Sequence, residues 1–285
     1  MPSRVRLDAE LVRRGLARSR EQAAELISSG RVAVAGLTAG KPATQVGRDA
    51  PITVSEGTGP DYVSRGGHKL AGALAAFGSP AVAGRRCPGQ AAGSGGAHGL
   101  TVAGRRCLDA GASTGGFTDV LLRAGAAHVV AVDVGYGQLA WALRADPRVT
   151  VLDRVNVREL RPEQVAPPPD LVVADLSFIS LVTVLPALVS CATPDADFVL
   201  MVKPQFEVGK GRVGPGGVVR DPGLRAEAVS GVAQAAAARG LGVAGLTASP
   251  LPGPAGNVEY FLWLRHGAPP LDAGELERAI ADGPQ

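Results

Sequence analysis

Cysteine is scarce and scattered in this 285-residue chain. Cys87, Cys107 and Cys191 make neither a disulfide framework nor a CxxC pair, which suits a reducing compartment and leads us to expect a cytoplasmic protein. The four histidines, His68, His98, His128 and His266, lie far apart with no paired ligand spacing, so no metal site is expected. Long hydrophobic runs are missing too. The stretch LVVADLSFISLVTVLPALV carries Asp175 and Pro186 and reads as strand, loop and helix, not as a span of about 20 apolar residues. At the N-terminus, MPSRVRLDAELVRR has charges where a signal peptide needs an apolar core. Secretion and membrane insertion are therefore not expected.

What is present is a globular composition, 46% apolar, in a length that suggests roughly two domains at about 150 residues each. The net charge of +3 is uneven. Residues 1–48 hold nine Lys or Arg and four acids, a net of +5, which leaves −2 for the rest. Such an asymmetry fits an appended module that meets a polyanion, and equally a solvated surface.

The N-terminal pattern sharpens that choice. In RLDAELVRRGLA, Leu7, Leu11 and Val12 recur at helical spacing before the stop at Gly15. Ser19 followed by Gln22 reads as a capping box opening a second helix through Ala23, Leu26 and Ile27 to Gly30. RVAVAG then alternates as a strand and turns at Gly36. Arg4, Arg6, Arg14, Arg18, Arg20 and Arg31 can offer guanidinium forks to phosphates. On these residues, about 50 in all, the segment resembles the αL RNA-binding module of ribosomal protein S-four type. That resemblance implies docking on structured RNA by shape and backbone.

Residues 79–106 break the pattern. SPAVAGRRCPGQAAGSGGAHGLTVAGRR is dominated by Gly, Ala, Pro and Ser, and VAGRRC occurs twice, at 82–87 and 102–107. A flexible insertion is expected there, with Arg85 and Arg86 as RNA contacts or as plain loop residues. Beyond it strands and helices alternate: RCLDAG, TDVLLRAGA, HVVAVDVG, GQLAWALRAD, DLVVADLS, LVTVLPALVSC, DFVLMVKPQ, then an Ala-rich helix from about Pro222 to Arg239. This order predicts an α/β, Rossmann-like domain with a mostly parallel sheet. LGVAGLTASPLPGPAGNVEYFLWLRH closes it as an edge hairpin. The expected division is a small α+β module over 1–60, an α/β domain over 61–268 and a tail over 269–285.

Ligands of such sheets bind at the carboxyl ends of the strands, where DAGASTGGF, Asp109 to Phe117, falls. The turn is not GxGxxG, because Gly111 is followed by Ala112, Ser113 and Thr114 before Gly115 and Gly116. Nor is there a P-loop, since VGKGR lacks the glycine spacing and the Ser or Thr after Lys210. The phosphate cradle is absent, but three acids stand in order. Asp109 can face an ammonium, Asp133 at the next strand end can accept from two ribose hydroxyls, and Asp153, in VLDRVN with Asn156, can meet an adenine amino group. An ammonium, a ribose and an adenine without phosphate describe S-adenosylmethionine, which sets a methyltransferase ahead of a dehydrogenase.

Two further strand ends bear on the acceptor. Asp175 follows LVVA and is itself followed by LSF, not by the Pro-Pro-aromatic of enzymes that methylate base amino nitrogens. Lys203 ends FVLMV, and a lysine there suits a hydroxyl whose proton must be managed. The chain now resembles the TlyA (haemolysin A) family through SRGGHKL, LDAGASTGGFTDVLL, DRVNVREL, ADLSFISL, VKPQFE and GNVEYFLWL. Only 79–106 lacks a counterpart. The resemblance implies S-adenosylmethionine-dependent 2′-O-methylation of a cytidine in 16S or 23S rRNA, or both, by an FtsJ-like domain. It implies a catalytic tetrad of Lys69, Asp175, Lys203 and Glu259, and the expected donor contacts are Asp109, the run Gly111 to Phe117, Asp133, Asp153, Asn156 and Asp175. RNA contacts are also expected at Arg65 and, in the Gly-rich loop after Lys203, at Lys210 and Arg212, a loop that otherwise reads as an ordinary exposed one. The Gly-rich segment Lys203 to Asp221 is then a candidate lid, and the short join EGTGPDYVSRGG a route by which RNA docking biases Lys69. The expected partner is ribosomal RNA or a ribosomal subunit, with neither metal nor membrane; oligomeric state stays open. Base methylation, RNA binding without catalysis and membrane lysis are the rival readings.

Overall fold

A computed structural model of the chain describes residues 4–28, 31–55, 62–79 and 99–284, with backbone alone for Glu21, Glu25, Ser28 and Lys210. Gly30, the first VAGRRC copy with Arg85 and Arg86, and residues 56–61 of the join lie outside the described residues. The chain forms two compact units, Met1–Asp61 and Tyr62–Gln285.

The first unit runs β1 (Arg4–Arg6), α1 (Leu7–Arg13), α2 (Arg20–Ser28), β2 (Val32–Val34), β3 (Leu37–Thr38), β4 (Gln45–Gly47) and β5 (Ile52–Val54). β1 pairs with β4, and β2 lies between β3 and β5, all antiparallel. Leu7 and Leu11 of α1, Ala23, Leu26 and Ile27 of α2, Val32 and Val46 form its core, as their helical and strand periods require. At α2 the Ser19 hydroxyl accepts from Gln22 N at 3.2 Å, but the Gln22 amide oxygen accepts from Arg18 N, not from Ser19 N. The capping box is closed one residue early. β2 and β3 are joined by the two residues Ala35 and Gly36, with φ of 51° and 82°, the pattern of a type I′ hairpin turn. Gly36 adopts this freely, whereas Ala35 bears the left-handed strain of an L side chain. Ala35→Asn is expected to stabilise this exposed turn by about 0.5–1 kcal/mol, read as a higher denaturant midpoint at unchanged slope. No gain would mean that the turn holds no strain.

The second unit is α/β. It contains α3 (Arg65–Ala76), β6 (Arg106–Ala110), α4 (Gly116–Arg123), β7 (His128–Asp133), α5 (Trp141–Arg144), β8 (Val149–Asp153), α6 (Pro162–Val165) and β9 (Leu171–Ala174). There follow α7 (Leu181–Cys191), β10 (Asp197–Val202), α8 (Pro204–Glu207), α9 (Pro222–Ala237), β11 (Leu241–Ala248), β12 (Tyr260–His266) and α10 (Ala273–Ala281). The sheet order is β11-β12-β10-β9-β6-β7-β8, parallel except for β12, which is antiparallel to both neighbours. Strand residues alternate between two cores. Leu108, Val130, Val172, Leu200 and Leu262 join Leu185 of α7 and Val229 of α9 on one face. Cys107, Val129, Val173, Val199 and Phe261 join Leu74 of α3 and Leu121 of α4 on the other. Helices on both faces explain why the strands read as unbroken apolar runs.

Three expectations change. GQLAWALRAD yields only the single turn of α5, because Ala140 is extended at ψ 139° and the buried Leu139 and Leu143 flank Gly115 at the start of α4. Of the insertion, residues 99–106 are ordered parts of the domain: Leu100 and Val102 are buried, and Arg105 pairs with Asp197 at 2.6 Å. The tail is also a structural element. Val243 N donates to Pro269 O, and Glu275 of α10 accepts from Leu246 N at 2.8 Å, just past the register shift between Val243 and Gly245.

Candidate active site

β6 leads to β7 and β8 on one side, while β9 and β10 return on the other, so the order reverses between β6 and β9. This is the switch point at which open α/β sheets bind ligands. The two strand ends touch there: Asp175 N donates to Ala110 O at 3.0 Å, and a Cβ on Gly111 (φ 87°) would sit 2.5 Å from the Asp175 carbonyl oxygen. No side chain fits at 111. Gly111 N and Ala112 N both donate to Val132 O, holding the turn against β7.

The three ordered acids are not equivalent. Asp133 accepts from Ser113 N at 2.8 Å and Gly135 N at 2.7 Å, which fixes its carboxylate at the rim. Asp153 pairs with Arg144 at 2.8 Å, and that guanidinium holds its carboxyl below the usual range. Asp109 is entirely buried beneath the turn rather than facing a ligand. Its Oδ2 accepts from Thr118 Oγ1 at 2.6 Å and its Oδ1 has no hydrogen-bond partner among the described residues. Burial pushes its carboxyl up to about 7, helped by the charges of Asp175 and Asp133 and opposed by the Thr118 hydroxyl.

A stability prediction follows from Asp109. The unfolded chain ionises this carboxyl near its ordinary value, whereas the folded chain resists ionisation, so between about pH 4 and pH 7 the unfolded state holds fewer protons and stability falls as pH rises. Asp109→Asn should match the wild type near pH 4. At pH 8, without ligand, it should be more stable by about 2–4 kcal/mol, because each pH step that separates the folded from the unfolded carboxyl is worth about 1.4 kcal/mol. Equal melting points at pH 8 would contradict it.

The remaining donor candidates divide. Ser113, Thr114, Gly115 and Gly116 form the exposed-to-buried rim leading into α4, with Ala140 N donating to Thr114 O at 3.1 Å. Phe117 is turned into the core, its ring 6.0 Å from that of Phe261. Asn156 accepts from Arg158 N and caps a short 3-10 turn, in a hollow shared with Arg154, Glu159, Arg161 and Gln164.

At the tips of β9, β10 and β12 the four tetrad residues form two ion pairs. Lys203 Nζ lies 2.6 Å from Asp175 Oδ1 and 3.0 Å from Ser177 Oγ. Lys69 Nζ lies 2.5 Å from Glu259 Oε2. Strand register links the pairs. Val202 opposes Tyr260 and Leu200 opposes Ala174, so one step further on Lys203 stands opposite Glu259 and Asp175 flanks Met201. Lys69, Lys203 and Glu259 are each less than a tenth exposed. Buried charges persist when paired, and here two cations meet two anions.

Sequence reasoning passed over Ser177, Glu207 and Phe178. Phe178 is 92% exposed at φ 64°, a rare conformation for a bulky residue, and its ring lies 5.3 Å from that of Phe206. Exposure of an aromatic beside the tips of β9 and β10 is a property of the fold, with no spacing signature. Tyr136 and Trp141 are also exposed, with Arg154 stacked 4.3 Å from the Tyr136 ring centroid.

The basic candidates also separate. Arg6 and Arg20 both pair with buried Asp8 and hold its carboxyl well below the usual range, Arg6 most of all. Arg14 is a clamp, bound to Glu10, Ala50 O and Arg48 O. Arg31 reaches Ser55 O, Arg65 reaches Pro252 O, and Arg18 reaches Gln22. Arg4 is on an exposed strand position. Arg212 of the candidate lid pairs with Glu227 of α9, and the lid's end is held by Asn257, which accepts from Val219 N and donates to Gly217 O. The Lys210 side chain lies outside the described residues. Among the described residues no His, Cys, Asp and Glu cluster could hold a metal, and no helix is long and apolar enough to cross a membrane.

Comparison with known proteins agrees with this architecture. A family model described as FtsJ-like methyltransferase matches residues 62–266, and one described as S4 domain matches residues 5–52. The chain is similar to the 16S/23S rRNA (cytidine-2'-O)-methyltransferase TlyA of Mycobacterium tuberculosis, 61% identical over 100% of both chains. It is 34% identical to "Hemolysin A" of Brachyspira hyodysenteriae over 90% of this chain and 98% of that one. A solved structure described as "Putative hemolysin from Streptococcus thermophilus" superposes with a TM-score of 0.72 at 35% identity, over 99% of this chain and 95% of that chain.

Proposed function

Because the chain belongs to the FtsJ-like methyltransferase family and carries an S4 domain, we propose that it transfers a methyl group from S-adenosylmethionine to the ribose 2′-hydroxyl of a cytidine in ribosomal RNA. The observation that carries this reading is Lys203, held at 2.6 Å by Asp175 at the tips of the strands beside the Gly111 turn.

The residues present fit that donor. A fully buried carboxyl oxygen of Asp109 lacks a hydrogen-bond partner among the described residues, and the turn above it leaves no room for a side chain at Gly111. Asp133 would hold the ribose hydroxyls with lone pairs left over from its two backbone bonds, and Asp153 would meet the adenine end. Asp109 would act through its field, favouring the cationic end from below. When bound, S-adenosylmethionine supplies an electrophilic methyl on a sulfonium leaving group. The protein's own part is positioning and electrostatics. Lys203 Nζ meets the 2′-oxygen and stabilises the negative charge that develops there as the O–H bond breaks, the proton passing to solvent water while the methyl bonds to the oxygen. Asp175 and Ser177 fix where Nζ points, and Lys69 with Glu259 complete a neutral set around it.

Substrate capture falls to the first unit, where the exposed guanidinium groups of Arg6 and Arg20 and the strand residue Arg4 suit phosphates, with Arg65 and the 209–221 segment on the catalytic unit. Ribosomal RNA or a ribosomal subunit is the partner, which locates the work in the cytoplasm. Incubation of ribosomal subunits from cells lacking the gene with methyl-tritiated S-adenosylmethionine should load tritium onto rRNA. Label confined to protein, or none at all, would sink the reading.

A further inference from the structure

The loop between β9 and α7, residues 175–180, carries Asp175, Ser177 and the strained Phe178. It is fastened at its start by Lys203, through the ion pair with Asp175 and the hydrogen bond to Ser177. Its far end is fastened by another residue of the Lys203 segment. Glu207 closes the single turn α8 that Lys203 opens, and its carboxylate accepts from Ser180 Oγ at 2.6 Å and from Leu181 N at 2.8 Å. Phe206, one residue earlier, packs on Phe178.

Helix capping alone does not explain this arrangement. Ser180 already caps α7 with its own hydroxyl, which accepts from Val182 N at 3.1 Å. The carboxylate comes from a segment 26 residues away and is buried enough for burial to push its carboxyl up from the usual range. A non-glycine residue at φ 64° persists only where its surroundings over-determine it, and Glu207 and Lys203 are the two ends of that constraint.

We propose that Glu207 is a positioning residue that locks the 175–180 loop onto the Lys203 segment, so that the Ser177 hydroxyl stays on Lys203 Nζ and Lys203 stays aimed at the acceptor oxygen. The proposal rests on Lys203 meeting the 2′-hydroxyl. Glu207→Gln keeps size and removes charge, but its amide nitrogen faces a donor and loses one of the two bonds.

The test is a set of steady-state measurements on the full chain with rRNA: Glu207→Gln, Ser177→Ala, the double variant, and Ser180→Ala. Glu207→Gln should lower kcat about 10- to 100-fold, the scale of a misaligned reacting group. KM for rRNA and calorimetric affinity for S-adenosylmethionine should stay within about threefold, and the calorimetric stoichiometry should stay at the wild-type value, which separates a true loss of kcat from a smaller folded fraction. In the Ser177→Ala background the same substitution should add less than about twofold, because coupled residues are not additive. Ser180→Ala, which removes one anchor and leaves the carboxylate in place, should show a smaller loss of kcat, and it decides the matter if Glu207→Gln fails to fold. Unchanged kcat in these variants, or losses at Glu207 and Ser177 that simply multiply, would overturn the proposal. If Lys203→Ala were active, the reading of Lys203 would fail instead, whatever Glu207 does.

Discussion

Lys203→Ala is expected to lower the rate of rRNA methylation about 1,000-fold, within the range for removing a group that moves a proton or stabilises developing oxyanion charge. Affinity for S-adenosylmethionine should change less than about threefold. Lys203 is buried at a strand tip and touches Asp175 and Ser177, not the turn at Gly111 to Gly116, so donor binding and chemistry separate at this residue. Lys203→Arg should fail to rescue: the planar guanidinium fork differs in shape from a point ammonium, and the site is closed by its two partners. Single-turnover assays with calorimetry on the same preparations check both halves. Loss of donor binding in Lys203→Ala would make the lysine a cofactor ligand.

Lys69 and Glu259 give the largest expected effect on stability. Their ion pair is almost fully enclosed, with side-chain exposures of 8% and 1%. Lys69→Ala strands a buried carboxylate, which costs about 3–5 kcal/mol, or on the order of 10 °C in melting temperature for a unit of this size. The double variant Lys69→Met with Glu259→Leu removes both charges and should recover most of that loss, because a buried pair is often replaceable by apolar residues of similar volume. It should remain inactive. Calorimetric melting of the single and double variants distinguishes the cases. Equal destabilisation in both would show that the pair is not the source of the cost, and full activity in the double variant would remove these residues from catalysis.

The legible part of this molecule is the part written in periodicities. Alternating strands and helices announce the sheet, since Val129 to Val132 and Phe198 to Val202 each send successive side chains to opposite cores. Asp175 and Lys203 could be found by asking which polar residue follows each apolar run. Lys69 could not, because its meeting with Glu259 spans 190 positions and no local pattern encodes it; resemblance supplied it. Side-chain direction was also hidden. Asp109 shares the strand face of Cys107 and so falls inward, whereas its place two residues before Gly111 suggests an open turn. Arg14 reads as a surface cation, yet Glu10 and two carbonyl groups claim it. Residues 99–106 and 269–285 look like loop and tail by composition. A few anchors, Leu100, Val102 and Glu275, tie them into the second unit, and composition averages such anchors away.

The most direct test of the central claim follows the methyl group itself. rRNA from cells lacking the gene is treated with the enzyme and S-adenosylmethionine labelled with carbon-13 at the methyl, then digested to nucleosides and resolved by mass spectrometry. The account predicts label in 2′-O-methylcytidine, on the sugar fragment, and its disappearance with Lys203→Ala. Label on a base fragment, or undiminished ribose label with Lys203→Ala, would contradict it.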